Sequence, residues 1–230
     1  MFAIHEQGFF NNSWFSDPMI LGHYPADGLA LYEADMPAMQ GDDLATIHQP
    51  LDFFGANIYS GRYVHATPDG GIEKAMDWDQ PLTAMGWPIT PEALYWAPRF
   101  FHERYHLPIV ITENGMAHDD CINDGSVDDQ PRIEFLQSYL QHYARAIAEG
   151  IPAQGYFLWS VMDNFEWAEG YSKRFGLIHV DYASQRRTRK ASAQWYGQVI
   201  AAHGWNLIPQ TGQGPASKTP PGSYGHQQDR

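Results

Sequence analysis

Apolar residues along the chain gather into three short runs, separated by longer stretches in which they recur every three or four positions. The runs at residues 51–60 (LDFFGANIYS), 108–113 (PIVITE) and 153–160 (AQGYFLWS) read as buried strands, and the middle one is apolar on both faces, as in a parallel sheet. Between and after them the spacing is helical. Thr90-Pro91-Glu92 offers an N-cap, a proline at the first helical position and an acid in the first turn, which predicts a helix over residues 90–105, kinked at Pro98. The most regular pattern predicts a helix over 131–149. Ile133, Leu136, Leu140, Tyr143 and Ile147 share one face, Asp129 or Gln130 caps the start and Gly150 closes the end. A last helix, over 190–203, is closed by Gly204. Strand, helix, strand, helix, strand, helix is the rhythm of an α/β parallel sheet or barrel. From Thr211 onward the chain is mostly Gly, Pro, Gln and Ser with almost nothing apolar, so the folded part is expected to occupy residues 1–208 and a disordered tail 209–230.

Composition narrows the function classes. The 230 residues carry a formal net charge of -13, the wrong sign for neutralising nucleic-acid phosphates or for attraction to anionic membrane surfaces. No apolar stretch is long enough to span a bilayer, no charged-then-apolar leader begins the sequence, and Cys121 is the single cysteine. Those features predict a soluble, cytoplasmic protein in a reducing compartment. Aromatic residues make up 14%, with 8 Trp and 13 Tyr. Flat faces carrying one polar handle suit stacking on sugar rings, and equally suit a large aromatic core.

Two glutamates in FHERYHLPIVITENGMA (residues 101–117) compete as chemical centres. Glu103 lies in His102-Glu103-Arg104-Tyr105-His106, the H-E-x-x-H spacing that sets two zinc ligands on one helix face. Its context argues against a metal site. Pro108 ends the helix almost at once, no third ligand has a signature, and His and Arg are ordinary residues for a helix C-terminus. Glu113 ends the second apolar run, where in βα folds polar side chains face the ligand. Taken alone, such a residue reads equally as a catalytic acid or as an ordinary loop acid.

The third run breaks the tie. It continues into FLWSVMDNFEWAEGYSKRFGLIHVDY (157–182), which together with VITENGMA resembles the family 1 glycoside hydrolases, the β-glucosidase and β-galactosidase group. GFFNNSWFSDPMILGHYP (8–25), DFFGANIYS (52–60) and GWPITPEALY (86–95) extend the resemblance, in the family's order, over most of the chain. The resemblance implies a (β/α)8 barrel that cleaves β-glycosides with retention, using two carboxyl groups about 5–5.5 Å apart. By the same resemblance Glu113 is the nucleophile, Tyr59 its hydrogen-bonding partner and Asn57 a nearby polar residue. Glu166 receives the sugar's outer hydroxyls, Trp159 and Trp167 line that subsite, Phe175 sits near the hydroxymethyl end, and Trp87 stands at the aglycone entrance. A carboxylate at Glu166 would repel phosphate, so the implied substrate is an unphosphorylated β-glucoside or related sugar. No cofactor and no metal is implied.

The sequence also departs from the family. The T-x-N-E-P motif that carries the acid/base glutamate has no counterpart, and no Asn-Glu-Pro occurs in the 230 residues. The matched segments correspond to strands six to eight, so the expectation is a partial (β/α)8 barrel. Three strands would leave two unpaired edges and an open interior, which predicts a homo-oligomer. Loss of the acid/base predicts weak activity. The alternative is a catalytically silent, self-associating fragment with at most weak sugar binding.

Overall fold

Three short parallel strands form the centre of the computed structural model, which describes residues 12–69, 72–75, 80–204 and 207. In chain order the elements are α1 (Asn12–Ile20), α2 (Ala26–Tyr32), α3 (Asp43–Ile47), β1 (Phe54–Asn57), β2 (Val64–Ala66), β3 (Ile72–Lys74), α4 (Ala93–Tyr105), β4 (Ile109–Asn114), α5 (Gln130–Ala148), β5 (Ala153–Leu158), β6 (Ile178–Val180), β7 (Arg187–Arg189) and α6 (Ala191–Ala201). The central sheet has the order β1-β4-β5, all parallel, with α4 and α5 as the crossovers that parallel pairing requires. The three predicted strands are all present; β1 and β5 are shorter than their apolar runs, and β4 is as long as its run but shifted one residue toward the C-terminus. Two antiparallel ribbons, β2–β3 and β6–β7, were not predicted. Strands of three residues are too short to show a period in sequence.

One sheet face is packed. Ile109 and Ile111 of β4 meet Leu94, Tyr95, Phe101 and Tyr105 of α4 and Phe135, Leu136, Tyr139 and Tyr143 of α5 in a single core cluster. Each such buried side chain contributes ~1.5–3 kcal/mol. The other face carries Gly55, Val110, Thr112 and Gly155. A Cβ on Gly55 would touch Thr112 and Phe53, and one on Gly155 would touch Val110 and Phe157. Phe53 and Phe157 flank this face and remain 46% and 62% exposed. Among the described residues the strands make an α/β sheet with helices on one side, and no closed barrel.

The helix signals were correct in position and partly wrong in mechanism. Pro98 lies within α4, buried, and the helix runs through it to Tyr105. Thr90 does not cap α4 by its side chain. Its Oγ1 accepts the Gly61 N–H at 2.7 Å, while its carbonyl accepts the Ala93 N–H. The buried stripe of α5 is Arg132, Phe135, Leu136, Tyr139, Leu140, Tyr143 and Ala146, so Ile147, expected inside, is 46% exposed. The carboxylate of Asp129 precedes α5 but does not cap it, because it accepts from the backbone N–H and hydroxyl of Ser192 in α6. Gly150 and Gly204 close their helices with φ of +100° and +77°. The proposed tail at 209–230 lies outside the described residues.

Candidate functional site

Parallel strands present their C-terminal ends on the same side, and here those ends carry Asn57, Glu113 and Leu158 followed by Trp159. The register slips at this edge. Ala56 pairs with Ile111 but Asn57 with Glu113, and the next β4–β5 pair after Ile111 is Asn114 with Leu158. A slip of this kind re-aims a side chain relative to strict alternation. Glu113 is thereby half-buried rather than packed under α5.

The Tyr59 hydroxyl donates to Glu113 Oε2 at 2.5 Å. Burial, then the hydrogen bond and charge of Glu113, then the charge of Glu166, push the Tyr59 phenol far above its ordinary value. Tyr59 therefore keeps its proton at physiological pH and serves as donor to the carboxylate. Its backbone is pinned by the Tyr139 hydroxyl, which donates to the Tyr59 carbonyl at 3.0 Å. Its ring meets Trp87 edge-on at 5.2 Å and Phe175 at 6.2 Å, and those two rings lie 6.0 Å apart. Four of the predicted residues thus converge: Glu113, Tyr59, Trp87 and Phe175. Glu166 is near enough for its charge to act on Tyr59.

The other predicted residues are placed differently. Asn57 is exposed, and its Oδ1 accepts from the Thr112 hydroxyl at 2.6 Å, so its side chain is committed to β4 rather than to Glu113. Trp159 is half-buried and follows β5 directly, with its N–H donated to the Asn114 carbonyl at 2.9 Å. Trp167 begins a single 3-10 turn beside Glu166 and is 82% exposed. Phe175 is only 2% exposed, its ring held against Tyr59 and Trp87 rather than open to solvent.

Some site-building residues escaped the sequence reading. Asn114, fully buried, donates from Nδ2 to the Ile58 carbonyl at 2.8 Å and accepts the Tyr156 hydroxyl at 2.7 Å. It thereby ties the ends of all three strands together. Its place directly after Glu113 was the available signal. Gly115 is needed for a close approach, since a Cβ there would lie 2.0 Å from the Trp159 carbonyl oxygen. Asp120, Asp129, Asp163, Arg132, Arg174 and Lys190 form a buried ionic cluster under the same loops. No local pattern announces it, because apart from the i,i+3 pair Asp129–Arg132 its members come from separate segments, with Lys190 70 and 27 residues from Asp120 and Asp163.

The competing glutamate has no such setting. His102 Nδ1 lies 2.9 Å from the Leu107 carbonyl, and the His102 and His106 rings are perpendicular, 6.4 Å apart. Among the described residues, no group of three or more His, Cys, Asp or Glu side chains is arranged to hold a metal ion. No described helix is long and apolar enough to cross a membrane.

The sequence model for glycosyl hydrolase family 1 matches residues 1–205. Beta-glucosidase A of Thermotoga maritima is 45% identical over 199 residues, covering 85% of this chain and 45% of its own length. The bifunctional beta-D-glucosidase/beta-D-fucosidase of Bifidobacterium breve is 41% identical over 225 residues, covering 87% of this chain and 48% of its own. A solved structure of the Thermotoga maritima beta-glucosidase in complex with deoxynojirimycin superposes with a TM-score of 0.76 at 43% identity, covering 84% of this chain and 44% of that one. The chain spans less than half the length of these relatives.

Proposed function

The chain belongs to glycosyl hydrolase family 1, and from that premise we propose that it carries the sugar-holding, nucleophile-bearing part of a retaining β-glycosidase for unphosphorylated β-glucosides or closely related sugars. The observation that carries the reading is the 2.5 Å hydrogen bond from Tyr59 to Glu113 at the C-terminal ends of the parallel strands, beside the loop of Glu166. A carboxylate oriented by one strong donor, with a second carboxylate nearby to receive sugar hydroxyls, is what a nucleophile and its binding subsite need. Glu113 attacks the anomeric carbon. The glycosidic bond breaks with its electron pair leaving on the aglycone oxygen, and a glycosyl-enzyme forms that water later hydrolyses. Trp159 and Trp167 stack on the sugar, Phe175 backs Tyr59, and Trp87 borders the aglycone side. Asn57 acts at one remove, through Thr112.

No residue of this chain is assigned as acid/base. Leaving-group protonation is worth ~10²–10⁴ in rate, so natural glycosides turn over slowly on this chain while activated aryl glycosides still react. The test is intact mass and peptide mapping after incubation with a dinitrophenyl 2-deoxy-2-fluoro-glucoside, whose leaving group needs no proton. A covalent fluoroglucosyl adduct on Glu113 is expected. A folded sample that stays unlabelled overturns the reading.

The second reading, a silent self-associating scaffold, has its own support. Among the described residues β1 and β5 are sheet edges, and Phe53 and Phe157 are exposed on the face away from the helices. Sedimentation at micromolar concentration should give a homodimer or larger species that Phe157→Glu disperses. A monodisperse monomer refutes it. The exposed, unpaired Cys121 suits a reducing, cytoplasmic setting.

A further inference from the structure

Two loops build the candidate site: one follows Glu113 and contains Asp120, and the other, residues 159–177, contains Glu166 and returns at Phe175. Asp163 closes the second loop on itself. Its Oδ1 accepts the Gly176 N–H at 3.0 Å, its Oδ2 accepts Arg174 Nη1 at 2.6 Å, and Oδ2 also takes the Val180 N–H at 3.3 Å. A Cβ on Gly176 would lie 2.1 Å from the Asp163 nitrogen, so this closure is tight. Lys190, its side chain fully buried, reaches between the loops from the start of α6. Its Nζ donates to Asp163 Oδ1 at 2.8 Å and to Asp120 Oδ2 at 2.5 Å. Asp120 is separately held by Arg132 Nη2 at 2.8 Å.

This division of partners is informative. Without Lys190, Asp120 would keep Arg132 and Asp163 would keep Arg174, so each loop would hold a neutralised carboxylate. The loops are also joined at the Arg174 carbonyl, which accepts the His118 N–H at 3.1 Å and Arg132 Nη2 at 2.8 Å, and what Lys190 adds is a direct link between the two carboxylates. A buried ammonium is costly unless fully paired, and in some proteins a buried ion set is retained for the arrangement it imposes. We propose that Lys190 and Asp163 are positioning residues which fix the Glu166 loop against the loop following Glu113, presenting the two glutamates to one sugar at a set separation. The inference rests on the reading that both glutamates address the same sugar.

The bridge acts through Glu166, and a double-mutant cycle with deoxynojirimycin as the probe reads that directly by calorimetry. Lys190→Met is expected to weaken binding about tenfold in the otherwise unmodified chain and about threefold or less in a Glu166→Gln background, where only the Trp159 and Trp167 contacts of the loop remain to be lost. Equal losses in both backgrounds would reduce Lys190 to a general structural role and overturn the inference. If Lys190→Met does not fold, Asp163→Asn replaces it in the same cycle. A second measurement needs neither variant nor sugar. Native-state amide exchange of the unmodified chain should show the Glu166 amide, bonded to Gly170, exchanging within about tenfold of the Asp163-bound amides of Gly176 and Val180 as one cooperative unit. A Glu166 amide that exchanges independently and far faster overturns the positioning role. Failure of the unmodified chain to bind deoxynojirimycin would instead sink the glycosidase reading, with the exchange result still deciding whether the loop is fixed.

Discussion

Replacing Gly115 by alanine should be among the most damaging single-methyl changes in the chain. The added Cβ would sit 2.0 Å from the Trp159 carbonyl oxygen and 3.1 Å from its carbonyl carbon, where side-chain carbons essentially never approach within 3.0 Å. Both partners are backbone, so no rotamer change relieves the contact. The segments must part by about 1 Å, which stretches the hydrogen bond from the Trp159 N–H to the Asn114 carbonyl beyond its present 2.9 Å. A lost backbone hydrogen bond costs ~1 kcal/mol net, and buried groups left unsatisfied cost ~1–3 kcal/mol more, so a destabilisation of ~2–4 kcal/mol is expected. The same displacement moves Trp159 relative to Glu113, and misplacement of about 1 Å in a reacting assembly can cost ~10² in rate. Urea unfolding followed by tryptophan fluorescence measures the first effect, and the rate of fluoroglucoside labelling at Glu113 the second. A Gly115→Ala protein with an unchanged urea midpoint would refute the close approach, and with it the account of how Trp159 is set beside Glu113.

Tyr59→Phe removes the one side-chain donor to Glu113 among the described residues and keeps the ring. Hydrogen bonds to charged groups are worth ~1.5–3 kcal/mol, so labelling at Glu113 should slow by roughly 10–100-fold, and an unchanged rate would separate Tyr59 from the chemistry. Trp167→Ala should leave the urea midpoint nearly unchanged, because the side chain is 82% exposed, while weakening deoxynojirimycin binding; unaltered affinity removes Trp167 from the subsite. Asp120 responds to acid in a defined direction. Burial alone would raise its pKa, but hydrogen bonds and charge from Arg132 and the charge of Lys190 outweigh burial and hold it below its ordinary value of 3.8. A folded value below the unfolded one gives stability that is complete above 3.8 and lost as pH falls through the folded value. Acidification below 3.8 should lower the urea midpoint more steeply in the unmodified chain than in Asp120→Asn, and equal slopes would contradict the assignment.

The residues that run along one element were legible without coordinates. Ile109, Ile111 and the stripe Leu136, Leu140 and Tyr143 announce a buried strand and an amphipathic helix, because burial imposes a period that the chain itself displays. Gly150 and Gly204 end helices as read, since a positive φ favours glycine wherever the rest of the fold lies. Glu113 was legible as a candidate because a strand end is a local address, and Tyr59 and Glu166 joined it through motif resemblance.

Errors arose where a side chain had a choice of distant partners. Thr90 and Asp129 look like helix caps, yet one serves Gly61 and the other α6. Arg132 was invisible as core because a charge is buried only when it is fully paired, and beyond its i,i+3 neighbour Asp129 it needs Asp120 and the Arg174 carbonyl, which only the fold brings to it. The sequence by itself determined the alternation of strands and helices, the apolar faces, and the residue types available at the strand ends. Tertiary structure alone decided that Asn57 turns to Thr112, that Phe175 is covered by Tyr59 and Trp87, and that Lys190 spans Asp120 and Asp163. The physical reason is range. Periodicity and φ preferences act between near neighbours, whereas hydrogen bonds and ion pairs are selected only after packing has brought remote segments within 3 Å or so of one another.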